Sequence, residues 1–405
     1  MSPYSFLSHL QCSYCGKEYQ ADSIKQVCES CGYPLFVRYD LTSLKKTIDR
    51  DVLSSRAQNF WRYHELLPVQ DPANIVSFNE PFTPIVPLSE TGASMNMTQL
   101  YAKDEGVLPS GTFKARGASI GISKAKEMGV RSIGIPTNGN AGAAWALYAA
   151  RAGIDITVVM PNSAPITPQK ECLIAGANLY VIEGTIGDAG KILPKVVNSD
   201  NWYDVSTLKE PYRLEGKKTM GFEIVEQFSW SVPDVIVYPT GGGAGVVGIY
   251  KALLELQELG WMEKRMPRFA IVQAEGCAPL VEAYQKGERF SKEWQDPHTI
   301  AFGMRVPKAL GDFLILDVLR ETDGIAISID DESIHAERKN VVRRDGLHAS
   351  PEGAAGIAGV RKLRELGWIR PDEKVLVMNT GSGLKYTDQI TETPNTFAFS
   401  ASKSV

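Results

Sequence analysis

DVIVYPTGGGAGVVGIYKALLELQELG, residues 234–260, runs from a Val/Ile-rich stretch through a glycine-dense joint into an amphipathic stretch. A short apolar run rich in β-branched residues reads as a buried strand, and the longer periodic run behind it reads as a helix. The joint, Pro239-Thr240-Gly241-Gly242-Gly243-Ala244-Gly245, carries four glycines in five positions. A tight turn accounts for one or two of them. The surplus suits a loop whose backbone amides wrap a phosphate at the start of a helix, where the dipole favours negative charge.

The same pattern recurs on both sides. RSIGIPT (131–137) leads into Asn138-Gly139-Asn140 and an Ala-rich helix, while KVLVMNT (374–380) ends in Thr380-Gly381-Ser382-Gly383. ITVVMP, NLYVIEG, RFAIVQAEG and ISIDD supply further strands between helical stretches. This alternation implies an α/β fold with mostly parallel sheets covered by helices on both faces. Ligands in such sheets bind outside the carboxyl ends of the strands, so three joints point at one crevice. Asn140 either caps its helix or offers its amide to a flat polar ligand, with Thr137 and Asn138 available for a carboxylate. The hydroxyl of Thr380 could hydrogen-bond a ring nitrogen without forcing its protonation.

A rival reading occupies the first joint. Gly243-Ala244-Gly245-Val246-Val247-Gly248 is a literal G-x-G-x-x-G after a strand, and Glu275 closes the next strand. That is the layout of a dinucleotide fingerprint, which would make the chain an NAD-dependent oxidoreductase. It leaves the asparagine joint, the Thr380 joint and one lysine without work.

That lysine lies in KDEGVLPSGTFKARG (103–117), where a Pro-Ser-Gly turn hands Lys114 to the start of a helix. A cation in the first helical turn opposes the positive partial charge already there, which lowers the amine's pKa. A lowered pKa suits a lysine to nucleophilic or Schiff-base chemistry. On this segment alone, a solvated surface lysine is the competing explanation.

Four of the six cysteines form Cys12-x2-Cys15 and Cys28-x2-Cys31, each pair followed by a glycine. The spacing fits two knuckles of a zinc ribbon whose four thiolates close the coordination sphere, so the metal would be structural. Cys172 and Cys277 read as buried. A net charge of -4 argues against nucleic-acid or membrane-surface partners, and no apolar run approaches the length of a membrane span. The first residues lack signal-peptide features, so a cytoplasmic location is expected. There is no H-E-x-x-H and no G-x-S-x-G in the chain. The expected organisation is a zinc-ribbon-like segment over 1–40, then a helical linker and the start of a large domain over 41–95. A smaller α/β domain over 96–205, a large α/β domain over 206–390 and a tail over 391–405 complete it.

S-G-T-F-K, the asparagine loop, the glycine loop and a late T-G-S-G occur here in that order. Together they resemble the fold-type II pyridoxal-phosphate enzymes, the tryptophan synthase β group. Within that group, TPIVPL (83–88), KEPYRLEGKKT (209–219), PEGAAGIAG (351–359) and NTGSGLKY (379–386) look most like the threonine synthases. The resemblance implies a two-domain fold that binds pyridoxal 5'-phosphate and converts O-phospho-L-homoserine and water to L-threonine and phosphate.

It also implies roles. Lys114 would hold the cofactor as a Schiff base and shuttle protons, Asn140 would contact its phenolic oxygen, and Gly241, Gly242, Gly243, Ala244 and Gly245 would hold its phosphate. Thr380 would face the pyridine nitrogen, Arg213 would grip a substrate phosphate, and Thr137 and Asn138 would receive the substrate carboxylate. The partner is then a small, phosphorylated amino acid, with a homodimer as the group's default. Arg213 with Lys217 and Lys218 suggests an anionic substrate, although Lys217 and Lys218 read more readily as a solvated charged face and Arg213 could instead pair with Glu210 or Glu215. Lys114-Ala115-Arg116-Gly117 departs from the Asp-Arg-Gly that follows the lysine in many threonine synthases. It is similar to the threonine and serine ammonia-lyases, which, with other β/γ-replacement enzymes of the group, stand as the alternative.

Overall fold

The computed structural model describes residues 3–396. The chain begins with three short antiparallel strands, β1 (Leu7–Cys12), β2 (Glu18–Tyr19) and β3 (Leu35–Tyr39), in the order β2-β1-β3. Burial alternates along β3, as it does in a strand with one packed face. Gly16 and Gly32, which trail the two cysteine pairs, have φ of 75° and 74°, the left-handed turn that glycine adopts without strain.

The helical linker expected after the ribbon is shorter than the sequence suggests. An α-helix covers Leu41–Thr47, capped by the Asp40 carboxylate on the Ser43 amide, and 3-10 turns follow over Arg50–Ser55 and Phe60–Leu66. The break falls at extended Ile48, and the Asp49 side chain then accepts from the Asp51 amide. Such local side-chain bonds compete with helix continuation.

Strands β4 (Ile85–Pro87) and β5 (Leu100–Asp104) come next. They are followed by β6 (Ser132–Pro136), β7 (Asp155–Pro161), β8 (Asn178–Ile182) and β9 (Tyr203–Asp204). The last four are β10 (Val235–Pro239), β11 (Arg268–Ala274), β12 (Ile325–Ile329) and β13 (Val375–Asn379). The smaller sheet, β8-β7-β6-β9, is parallel throughout. The larger, β12-β11-β10-β13-β5-β4, is parallel except for the β4–β5 pair. Segment 96–205 is therefore not one unit: β5 belongs to the larger sheet, paired from Leu100 to Asp104 with β13. Its partner comes near the other end of the chain, a pairing that local alternation cannot reveal.

Helices that frame the crevice between the sheets include α1 (Lys114–Glu127), α2 (Asn140–Ala152), α3 (Tyr212–Gln227), α4 (Ala244–Leu259) and α5 (Pro351–Glu365). Helix α3 is buried from Tyr212 to Val225 because glycines let its neighbours approach. A Cβ on Gly216 would lie 2.2 Å from the Arg116 carbonyl oxygen of α1, and one on Gly248 of α4 would lie 2.7 Å from the Lys217 Cβ. Lys217 and Lys218 are accordingly not a solvated face. They are 3% and 0% exposed.

Beneath the start of α1 lies a closed ionic network. Arg116 reaches Glu105 (Nε–Oε2 2.6 Å) and Glu223 (Nη1–Oε1 2.6 Å), and Lys103 Nζ meets Glu223 Oε2 at 2.7 Å. All four side chains are fully buried, which is tolerable because the charges balance and the polar atoms are bonded. Among the described residues no helix is long and apolar enough to cross a membrane. Most of the expected tail, from 397 onward, lies outside the described residues.

Candidate active site

Between the two sheets a cavity of about 540 Å³ opens at the carboxyl ends of the strands. That is the size range of a cofactor or small-molecule site. Lys114, Thr137, Asn138, Asn140, Arg213, the loop Gly241–Gly245 and Thr380 all line it. Residues from joints more than 250 positions apart thus meet in one place. Glu275 does not: it borders a separate surface depression, 4.0 Å from Lys362. Without that acid the dinucleotide reading loses its ribose ligand.

The glycine loop divides into two kinds of position. A Cβ on Gly241 would lie 2.4 Å from the Gly303 carbonyl oxygen, one on Gly243 1.9 Å from Ile315, and one on Gly245 1.9 Å from the Tyr238 hydroxyl. Packing alone requires those three. On Gly242 it would meet only Thr207 Cγ2 at 3.5 Å, an ordinary contact. Gly242 is therefore free of any packing demand and faces the cavity, a place where a ligand could come up against the backbone. Among the described residues the amides of Gly241, Gly242 and Gly243 have no backbone acceptor, and the 16-residue helix α4 starts behind them. Consecutive open amides at a helix N-terminus form an anion cradle. The loop fits a phosphate.

Lys114 is the first residue of α1 and opens onto the cavity. Its loop is tied to the Thr380 joint by Phe113 N to Thr380 O (3.0 Å) and Ser382 N to Gly111 O (2.8 Å). Burial, with the Arg213 cation as a second cause, pushes the Lys114 pKa down to about 8 against the pull of Glu352. The lowered pKa expected from the helix start is thus produced mainly by burial.

Asn140 sits at the start of α2 and donates Nδ2 to the Tyr386 hydroxyl at 2.7 Å. Among the described residues its buried Oδ1 has no partner, an orphan acceptor available to a ligand's donor. Tyr386 in turn donates to Glu352 Oε1 at 3.1 Å, and that oxygen also takes the Gly303 amide at 2.8 Å. Asn138 spends its amide on the Arg305 carbonyl oxygen at 2.6 Å, and the Thr137 hydroxyl accepts from Gly139 N and Gly142 N at 3.1 and 3.2 Å.

Arg213 takes the pairing that the sequence left open. Its Nε donates to Glu210 Oε1 at 2.9 Å, Nη1 to the Thr207 hydroxyl at 2.9 Å, and Nη2 to the Val205 carbonyl oxygen. The guanidinium also stacks over Trp145, 4.8 Å from the ring centroid. It lines the cavity as a fixed, already neutralised wall. Glu352 and Tyr386 carried no signal in the sequence and Lys217 read as a solvated charge, yet all three line the same cavity. For Lys217 the recurring glycines at 117, 216, 221 and 248 were the available signal, since small residues at helix contacts mean that the side chains beside them are enclosed.

In the ribbon, Cys12, Cys15, Cys28 and Cys31 converge, their sulfurs all within 4.8 Å of one another. Cys12 and Cys31 are 3.4 Å apart, and Cys15 lies 3.6 Å from both Cys28 and Cys31. Four sulfurs about 2.3 Å from a tetrahedral zinc stand roughly 3.8 Å apart, so this donor set fits the ion. The Tyr14 and Cys15 amides both point at the Cys12 sulfur at 3.4 Å, as amides do toward a thiolate. The cluster is not part of the cavity lining.

This fold and this cavity define a pyridoxal-phosphate enzyme, and the chain belongs to that family: the model described as "Pyridoxal-phosphate dependent enzyme" matches residues 76–381. Among curated relatives, the threonine synthase of Methanosarcina acetivorans is 35% identical over 378 residues, covering 93% of this chain and 92% of the relative. The threonine synthase of Methanocaldococcus jannaschii is 34% identical over 379 residues, 93% of each chain. Among solved structures, a threonine deaminase from Solanum lycopersicum superposes with a TM-score of 0.64 at 18% identity, covering 84% of this chain and 93% of its own. Maize serine racemase gives 0.64 at 22% identity, over 74% and 88%. These two likenesses concern the fold.

Proposed function

We propose that the chain is a pyridoxal-phosphate-dependent threonine synthase, converting O-phospho-L-homoserine and water to L-threonine and phosphate. The observation that carries this reading is the meeting, in one cavity, of a depressed-pKa lysine and three unpartnered glycine-loop amides. Full-length similarity to threonine synthases supports the choice of reaction over that of the ammonia-lyases.

When bound, the cofactor supplies the electron sink that delocalises carbanionic charge. Lys114 Nζ would be its covalent anchor, and Gly241 to Gly245 would hold its phosphate through backbone amides. Asn140 would contact the cofactor through its side-chain amide, and Thr380 would offer it a neutral hydroxyl. A lysine titrating near 8 both gives and takes protons at neutral pH, so the Lys114 amine can serve successive carbons of one substrate. Thr137 and Asn138 receive the substrate carboxylate, Asn138 by exchanging its bond to the Arg305 carbonyl. Arg213, fixed by Glu210, borders the substrate phosphate. The four ribbon cysteines hold a structural zinc ion.

Two products separate the readings. Purified enzyme should release phosphate from O-phospho-L-homoserine much faster than it releases 2-oxobutanoate from threonine. If only the keto acid forms, the synthase assignment fails while the cofactor assignment stands.

A further inference from the structure

Six basic side chains line the cavity: Lys114, Lys191, Lys209, Arg213, Lys217 and Lys308. Four of them are matched within the fold. Lys191 pairs with Asp188 at 3.0 Å, Lys209 with Asp204 at 2.9 Å, Arg213 with Glu210 at 2.9 Å and Lys308 with Asp312 at 2.5 Å. Among the described residues no carboxylate lies within ion-pair distance of Lys114 or Lys217. Lys114 has a use in the proposed chemistry. Lys217 has none yet.

Its setting is specific. Lys217 stands on α3, its Cβ packed where Gly248 of α4 gives room, and its Nζ beside Gly117 of α1, 3.2 Å from where a Cβ would be. The amine donates to the Phe113 carbonyl oxygen and sits 4.2 Å from the Phe113 ring centroid. Lys114 Nζ is 4.3 Å from that same centroid, so two amines share one aromatic ring. The charged groups that act on Lys217 are Lys114, Arg213, Glu105 and Arg116, and the two carboxyl oxygens of Glu105 are already bonded to Arg116. Burial, then the Lys114 and Arg213 cations, hold the Lys217 pKa well below the lysine range. An ammonium enclosed without a counter-ion is costly, and a ligand that brings a negative charge removes that cost.

We infer that Lys217 is the counter-cation for the phosphate group carried by the substrate. The inference rests on the threonine synthase reading above and deepens it. Arg213 has given three of its five N–H groups to the fold, whereas Lys217 has given one of three. The glycine loop at the N-terminus of α4 would cradle the cofactor's phosphate, so a phosphorylated substrate would need a second, separate anion support. Selection of a phosphorylated amino acid over free threonine or serine then follows from an amine that becomes a matched cation only when a second anion binds beside it.

The test uses the cofactor-loaded full chain. Lys217→Met keeps the apolar stem and removes a buried amine whose one bond is to the Phe113 carbonyl oxygen, so the variant should fold with only a small change in its denaturation midpoint. Affinity for inorganic phosphate should fall about tenfold or more, and KM for O-phospho-L-homoserine should rise by a similar factor. Binding of L-threonine, followed through the visible absorbance of the bound cofactor, should change less than about twofold. Lys217→Arg should recover part of the phosphate affinity. Unchanged phosphate affinity in the methionine variant overturns the inference. So does an equal loss of L-threonine binding, which marks a structural role, or loss of the cofactor itself, which assigns Lys217 to the cofactor's phosphate. A wild-type enzyme that carries the absorbance but does not bind inorganic phosphate also overturns it, and leaves the cofactor reading intact.

Discussion

Tyr39, the last residue of β3, donates its hydroxyl to Glu215 of α3, Oη to Oε2 at 2.8 Å. The same carboxylate pairs with Lys218 at 2.5 Å and Lys251 at 2.9 Å, and the Lys218 ammonium lies 4.0 Å from the centre of the Tyr39 ring. The ribbon is thereby joined to the helix that carries Arg213 and Lys217. Elsewhere Tyr33 meets Phe313 edge to face, with centroids 5.1 Å apart, and Gln26 donates to the Asp204 carbonyl oxygen at 3.1 Å.

Tyr39→Phe removes a hydrogen bond to a carboxylate that keeps two lysine partners. The expected cost is about 1–2 kcal/mol, read as a lower denaturant midpoint, with the cofactor's visible absorbance retained. Loss of that absorbance at full folding would mean that the junction reaches the cofactor site.

The cysteine cluster should contain about one zinc ion per chain by metal analysis. Chelation, or Cys28→Ser, should expose the first forty residues to protease while the absorbance stays largely in place, because the cluster lies outside the cavity. Immediate loss of the absorbance on chelation would contradict that separation.

Gly242→Ala and Gly245→Ala should behave differently despite identical chemistry. A Cβ at 242 has room, so that variant should fold normally yet bind pyridoxal phosphate at least about tenfold more weakly. A Cβ at 245 collides with the Tyr238 hydroxyl at 1.9 Å, so that variant should lose stability first. Paired melting curves and cofactor titrations distinguish the two.

Arg116→Met strips the balancing cation from Glu105 and Glu223, which are fully buried. Breaking a buried pair in this way costs about 3–5 kcal/mol, enough to lower the unfolding midpoint sharply. A variant as stable as the parent would show that the network contributes little.

Lys114 should set the pH dependence of cofactor capture by the cofactor-free chain. Its pKa is lowered from 10.5 to about 8, so the reactive neutral amine is scarce below that pH and dominant above it. The initial rate of absorbance gain should rise with pH through about 8 and then level off. A rise delayed toward 10.5, the ordinary lysine value, would show that the amine is not buried in solution.

Much of this architecture was legible in the residues themselves. Strand–glycine–helix alternation announced a parallel α/β fold, and Lys114, the asparagine joint and the glycine loop were readable because each is a local signal: a turn, a cap, a run without side chains. Four cysteines at knuckle spacing likewise specify a cluster through short-range geometry. The errors came where contact is long-range. Lys217 and Lys218 look like solvent-facing charges because charged residues usually are, and only the approach of α1 and α4 at Gly117, Gly216 and Gly248 encloses them.

The sequence by itself determined the local conformations and the chemical groups available, since backbone preference and side-chain identity are properties of neighbouring residues. Only the tertiary structure decided which charges are matched. It gave Glu210 to Arg213, Glu215 to Lys218 and, among the described residues, no carboxylate to Lys217, and it placed β5 beside β13. Whether a cation is neutralised depends on distance and burial in space, and neither is fixed by separation along the chain.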